Sequence, residues 1–389
     1  VFLWAIALNS SASALAFFVN SIEMVLVLRF FQGMGAAMMF ATSMALLISV
    51  FPPEKRGLPL GLNAACVYFG LTLAPALGGW VTDAFGWRFV FLLPLPIVVL
   101  VVSLIAWRVS GDWFGERENR FDWGGALTFA LWAIALVIGL TGLPGLWQSA
   151  VLAFSFVLLV VFIRRQARRE QPLIRVQMFR ESRLFSFSLM TALFMYASSY
   201  PLGFLLSLYL QYVRGYSAAD AGHVLLVQAL TMACVAPLAG RLSDYLPARW
   251  LASAGCFCTL CGYGLLSTLG VATAPGFIVL ALFLVGLGFG CFSSPNNHVV
   301  MQSAHSSEVG VAAATLNLAR VVGNLVGMSL VNLFVYWNLG NQPLNETLSE
   351  PLLRTFSQAM LLALAFLTCA TLISLLRGAS GAEQKKPGD

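Results

Sequence analysis

At 389 residues, 59% hydrophobic and 10% charged, with a mean hydropathy of +0.84, the chain has too few polar side chains to cover a water-facing surface. That balance excludes a soluble globule and fits an all-α polytopic membrane protein. The net charge of +6 is no nucleic-acid signal, since the basic residues gather at the edges of apolar runs, and no ten-residue alternation suggests a β-barrel.

The apolar runs predict twelve spans, at about 1–18, 22–50, 57–82, 88–107, 122–142, 147–164, 183–212, 219–239, 250–270, 275–302, 309–337 and 354–376. Seventeen of the 22 Lys and Arg fall in one set of connections, and only Arg88, Arg214 and Arg354 in the opposite set. The positive-inside bias then places the basic loops and the chain ends in the cytoplasm of a plasma (inner) membrane. Cys256, Cys258 and Cys261 read as small packing residues before they read as metal ligands, and the other cysteines also lie in apolar runs. The chain shows no ATP-binding glycine loop, no His/Asp metal spacing and no Ser/His/Asp set, so neither an enzyme nor a cofactor or metal site is expected.

Gly33, Gly35, Gly57 and Gly70 recur 253 residues later as Gly286, Gly288, Gly310 and Gly323. The second and third spans therefore correspond to the tenth and eleventh, a parallel repeat of two halves about an axis along the membrane normal. The expected organisation is a helical bundle over 1–108, two linker helices with basic loops over 109–182, a six-helix bundle over 183–377 and a tail over 378–389. The tenth span has three predecessors in its half and the second span has one, so two helices are expected to be missing ahead of Val1.

Leu28-Arg29-Phe30-Phe31-Gln32-Gly33-Met34-Gly35 resembles the fourth-helix motif of the major facilitator superfamily. Gly70-x-x-x-Ala74-Pro75-x-x-Gly78-Gly79 resembles its antiporter motif, with Ala74 in place of the usual first glycine. Gly240-Arg241-Leu242-Ser243-Asp244 through Arg249 resembles the second-half copy of its cytoplasmic loop signature, with Pro247 in place of a glycine. With the two central helices, the chain is similar to the fourteen-spanner drug/proton antiporter branch, of which it would hold twelve helices. The resemblance implies alternating access and export of amphipathic, often cationic, small molecules in exchange for protons. The energy source would be the proton gradient, with no cofactor and no nucleic-acid partner; accessory efflux proteins are left unidentified. Other readings are a metabolite uniporter or symporter of the same fold, or a non-transporting membrane protein.

Arg29 lies one to two turns inside its span, where a fixed cation would tune a carboxylate or meet substrate, or else snorkel or pair with Glu23. Pro75 among Gly70, Gly78 and Gly79 suits a bendable, closely packed seam, or ordinary small-residue packing. Asn317, Arg320 and Asn324 share a helical face, and Asn296 and Asn297 directly follow Pro295. Such groups face a central path or each other, and Arg320 needs an anion or a carbonyl as partner. Tyr196 and Tyr200, with Pro201 and Phe204, are spaced to form an aromatic wall for lipophilic cations, or a packed core. His223 and His298 are of the side-chain type suited to proton exchange but read as satisfied histidines. Asp244 with Arg241 and Arg249 forms the family's switch loop, or a solvated helix cap. Glu23, Asp83, Asp122, Asp220, Asp244 and Glu308 all fall at span ends, so a proton-carrying acid is expected in the missing part.

Overall fold

The computed structural model describes residues 1–52, 55, 57–108, 122–169, 172–304, 308–340 and 349–377. The Asn345-Glu346-Thr347 sequon, the expected tail, and Arg56, Arg117, Arg120, Lys385 and Lys386 lie outside the described residues.

The chain is all helix among the described residues. Its elements are α1 (Phe2–Phe18), α2 (Ile22–Val50), α3 (Gly57–Phe85), α4 (Leu95–Arg108), α5 (Trp123–Thr141), α6 (Leu146–Arg168) and α7 (Gln177–Glu181), then α8 (Arg183–Leu208), α9 (Ala218–Leu242), α10 (Ala248–Leu266), α11 (Pro275–Gln302), α12 (Val309–Leu339) and α13 (Ser349–Leu376). Among the described residues nine helical stretches are long and apolar enough to cross a membrane. Of the predicted spans outside that set, α1 has 17 residues, α10 has 19, and α3 runs as a single helix of 29 residues. The fourth span is broken: Gly86 takes a φ of +95°, which favours glycine, and a 3-10 turn over Trp87–Phe91 precedes α4. The short α7 was not predicted. It is too brief to show apolar periodicity.

Local capping sets the helix starts. Ser21, Ser182 and Ser217 accept from the amides of Met24, Phe185 and Asp220, closing the first turns of α2, α8 and α9. Packing then depends on small residues, because lipid offers no hydrophobic drive between helices. A side chain at Gly288 of α11 would meet Thr259 and Gly255 of α10, and one at Gly35 of α2 would meet Asn9 and Ala5 of α1. The two glycines, 253 residues apart, each seat their helix on a neighbour. Contacts are exchanged in the same sense: α2 lies against α12, and α3 against α11. The main core runs through α3 and α8 to α13.

The pair α5 and α6 packs on itself and meets the rest of the bundle through α12, where Leu318, Val322, Leu325 and Val326 pack against Trp132, Leu136 and Leu140. Asp122, 3% exposed, caps α5 through the Gly125 amide. Gln166 Nε2 donates to its Oδ2 at 2.9 Å, and Arg165 and Arg169 lie at 3.5 and 3.4 Å from its Oδ1. The Gly125 amide, with the Gln166 and Arg169 groups, holds the Asp122 carboxyl at about 2 against an ordinary 3.8. A depressed carboxyl pKa stabilises the fold above its unfolded value, and that support fades as pH falls toward the folded value. Asp122→Asn should therefore lower the thermal midpoint in detergent by a few degrees at pH 7. The gap to the parent should narrow as pH drops from about 4 toward 2. Equal midpoints at pH 7 would show that the carboxylate does not hold the hairpin.

Candidate functional site

At the end of the bundle that carries the basic loops, α3 and α9 approach backbone to backbone. A side chain at Gly57 would meet the Gly240 carbonyl and Asp244, and one at Gly61 would meet the Ala236 carbonyl and the Cα atoms of Pro237 and Gly240. Only glycine permits this approach. The Asp244 carboxylate accepts from the Gly57 amide at 2.7 Å and from the Leu58 amide at 3.3 Å, so it caps the first turn of α3 from the turn that follows α9. Those amides have no partner within α3, and the helix dipole favours an anion there. Ser294 of α11 donates to the Gly57 carbonyl at 3.4 Å, and Ser243 lies 3.5 Å from His298, which also contacts Gln302. Arg241 is exposed, and Arg249 stacks on Trp250 at 4.9 Å. This is a clasp between helices.

Farther along α3 the clasp ends. Among the described residues, no atom lies within 4 Å of the space a side chain would occupy at Gly70 or Gly78. The close packing expected at these two glycines is not seen among the described residues in this conformation. The side chains of Ala74 and Pro75, and the surroundings of Gly79, lie outside the described residues.

Between the clasp and the open stretch lies a polar, aromatic cluster. Tyr68 of α3 and Arg320 of α12 stand at equal depth, each about 17 Å from the start of its helix at 1.5 Å per residue. Arg320 Nη2 donates to Asn297 Oδ1 of α11 at 2.6 Å, and its guanidinium lies 5.3 Å from the Tyr196 ring of α8. Tyr196 and Tyr68 pack edge-on against Phe289 at 5.1 and 6.2 Å, with the Tyr68 hydroxyl in reach of Tyr196. Gly323 and Gly327 bring α12 onto α8 beside them. Asn317 and Asn324 lie on the Arg320 face, both half-buried.

Not every predicted residue joins this cluster. Asn296, next to Asn297, points elsewhere: it donates to the Ser188 carbonyl at 3.2 Å and accepts from Arg377 at 3.1 Å. Arg377, 1% exposed, also donates to the Ala248 carbonyl and ties α8, α10 and α11 together from the end of α13. Tyr200 is 60% exposed, away from the Tyr196 cluster. Arg29 is exposed, donates to Gln32 at 3.2 Å and lies 4.8 Å from the Phe91 ring. Gln32 in turn bonds Ser13, and its carbonyl accepts from Asn9, so Arg29 belongs to an α1–α2 network. Two participants escaped the sequence reading. Tyr68 lies seven residues before Pro75, two turns back on one face, a signal that could have found it. Arg377 reads as an ordinary basic cap at a span end, and nothing local distinguishes it.

Residues 1–328 match the family described as Major Facilitator Superfamily. The chain is 28% identical over 320 or so residues to the riboflavin transporter RibZ of Clostridioides difficile (strain 630), covering 81% of this chain and 69% of that one. It is 29% identical over 330 residues to the multidrug resistance protein Stp of Mycobacterium tuberculosis, covering 83% of this chain and 60% of that one. Among solved structures, the human organic anion transporter MFSD10 superposes with a TM-score of 0.62 at 16% identity, over 94% of this chain and 76% of that one. At that identity the likeness is one of fold.

The clasp makes a direct prediction. In a background without native cysteines, a cysteine at Ser294, fully buried against Gly57, should react slowly with a maleimide. An interhelical cap contributes on the order of 1–2 kcal/mol, so Asp244→Ala should speed labelling roughly 5- to 30-fold. Unchanged labelling would show that the Asp244 cap does not hold this end closed.

Proposed function

The chain belongs to the Major Facilitator Superfamily, and on that premise we propose that it is a proton-coupled exporter of small amphipathic organic compounds, working by alternating access. One observation carries the reading. A polar, aromatic site lies midway along the helices, closed off by the α3–α9 clasp toward the basic-loop end, and toward the other end no described residue packs against Gly70 or Gly78. If the basic loops are cytoplasmic, as their charge favours, this is an outward-facing arrangement in an inner membrane. Breaking the clasp would open the opposite path.

The drug-resistance role printed for Stp supports amphipathic cargo. The separate α5–α6 pair, joined to the rest through α12, favours the fourteen-spanner drug/proton antiporter branch. In the two halves, Gly35 and Gly288 as matched seats and the exchanged α2–α12 and α3–α11 contacts suit rocking about a central axis. The cargo sign implied by the family resemblance is cationic; the central site, treated below, favours the opposite sign. A second reading, a carrier of a metabolite, is favoured by the similarity to RibZ.

Everted vesicles containing the protein should take up an amphipathic aromatic dye when energised, and a protonophore should abolish that uptake. Flux that survives the protonophore would replace the antiporter with the metabolite carrier, and no flux in either state would end the transport reading. Arg29→Ala, which unties Gln32 from its guanidinium, should insert normally yet lose most uptake. Uptake at the parent rate by that variant would remove Arg29 from the mechanism.

A further inference from the structure

We propose that the central site, on the exporter reading above, is built for cargo bearing an anionic group, with Arg320 as its charge-recognising residue. The inference starts from an imbalance. Arg320 stands at mid-helix, where a cation is costly unless an anion, a carbonyl or an aromatic face offsets it. It has a carbonyl, at Asn297, and an aromatic face, at Tyr196. It has no carboxylate: among the described residues the ion pairs involve Arg165, Arg169 and Arg175, and none involves Arg320. Its Nε is shielded from solvent and has no hydrogen-bond partner among the described residues. A guanidinium carries five donors in a planar fork that suits a carboxylate, a sulfonate or a phosphate in two-point contact.

Arg377 shows what a purely structural arginine looks like in this same bundle. It is 1% exposed and spreads its donors over Asn296, Ser188 and Ala248 on three different helices. Arg320, by contrast, is half-buried and meets one side-chain carbonyl and one ring face. Its neighbours define the rest of the ligand. Half-buried Tyr196 offers a ring face to an aromatic or flat apolar body, and Phe289 and Tyr68, both buried, pack behind it. Asn324, one turn along from Arg320, has a shielded amide oxygen without a partner among the described residues, a position for a cargo hydroxyl or amide donor. The described carboxylates sit at helix ends: Glu23 in the first turn of α2, Asp220 in that of α9, Asp122 capping α5 and Asp244 at the clasp. Nothing among them answers the charge of Arg320 from within. The class is an amphipathic aromatic anion.

The test compares three probes that share a ring and differ in charge: naphthylacetate, naphthylacetamide and naphthylmethylammonium. Binding is measured by calorimetry on the full chain in detergent, which requires no transport. Naphthylacetate should bind at least tenfold more tightly than either of the others. Arg320→Gln should erase that preference while leaving naphthylacetamide affinity within about twofold, and Arg320→Lys should retain part of it. Asn297→Asp should act in the opposite way to a simple loss: a carboxylate 2.6 Å from the guanidinium would pair it internally and expel the anion, so naphthylacetate weakens and the ammonium probe gains. Because the Asp variant replaces one atom of a residue already in contact, it remains informative should Arg320→Gln fail to fold. Equal binding of all three probes by the parent protein, or an Asn297→Asp variant that still prefers naphthylacetate, would overturn the proposal. The charge preference in detergent without probe uptake into energised vesicles would sink the exporter reading and leave the anion site standing.

Discussion

The contact on which the rest depends is the approach of α3 to α9 at Gly57, Gly61 and Gly240, closed by the Asp244 carboxylate on the first amides of α3. Backbone-to-backbone packing of this kind requires absent side chains on both helices, and it leaves the helix-start amides needing an acceptor. One carboxylate satisfies that need from across the interface. The contact is short-range and worth only on the order of 1–2 kcal/mol beyond packing. It can hold one end of the bundle together and still be released by a differential ligand interaction of similar size. Strong glue would make a rigid bundle; a small, specific cap makes a switchable one.

The clasp also sets what lies behind it. With α3 held against α9, Tyr68 faces Phe289 and Tyr196, and the three rings form one side of a site whose other side is Arg320 with Asn297. The two interior arginines divide the work of charge in the bundle. Arg377 is absorbed into a cross-brace on three helices, where its value is structural. Arg320 is only partly absorbed, and an incompletely answered charge in a low-dielectric interior is where recognition is strongest. The hairpin of α5 and α6, capped by Asp122, meets this machinery through α12.

Much of the fold was legible because membrane spans announce themselves by length and apolarity. Helices α2 and α11 run over the residue ranges the apolar pattern predicts, Ile22–Val50 and Pro275–Gln302. The glycine repeat was legible as well, since Gly35 and Gly288 are kept small by a local demand, contact with the adjacent helix. What could not be read were pairings across long separations. Asp244 meets Gly57 across 187 residues, and Arg377 meets Ser188 across 189, with no local pattern to mark either. The motif glycines were the opposite case: Gly70 and Gly78 read as a packed seam, yet in this conformation no described residue packs against them. A sequence motif records what a position must tolerate over a whole cycle, and one conformation shows only part of that. Asn296 and Asn297, adjacent in sequence, point to a brace and to the central site respectively, because successive helix positions differ by about 100° in direction.

The central claim is that the α3–α9 clasp holds one end of the bundle closed and is released during transport as the opposite end draws together. Pulsed electron resonance between spin labels would test it most directly. One pair would sit at Leu62 and Leu242 near the clasp and the other at Trp80 and His223 toward the opposite end, all four exposed. The account predicts one short, narrow distance for the first pair and a longer one for the second in the resting protein. With cargo and an imposed proton gradient, the first should lengthen as the second shortens. Distances that stay fixed, or that move in the same direction at both ends, would contradict it.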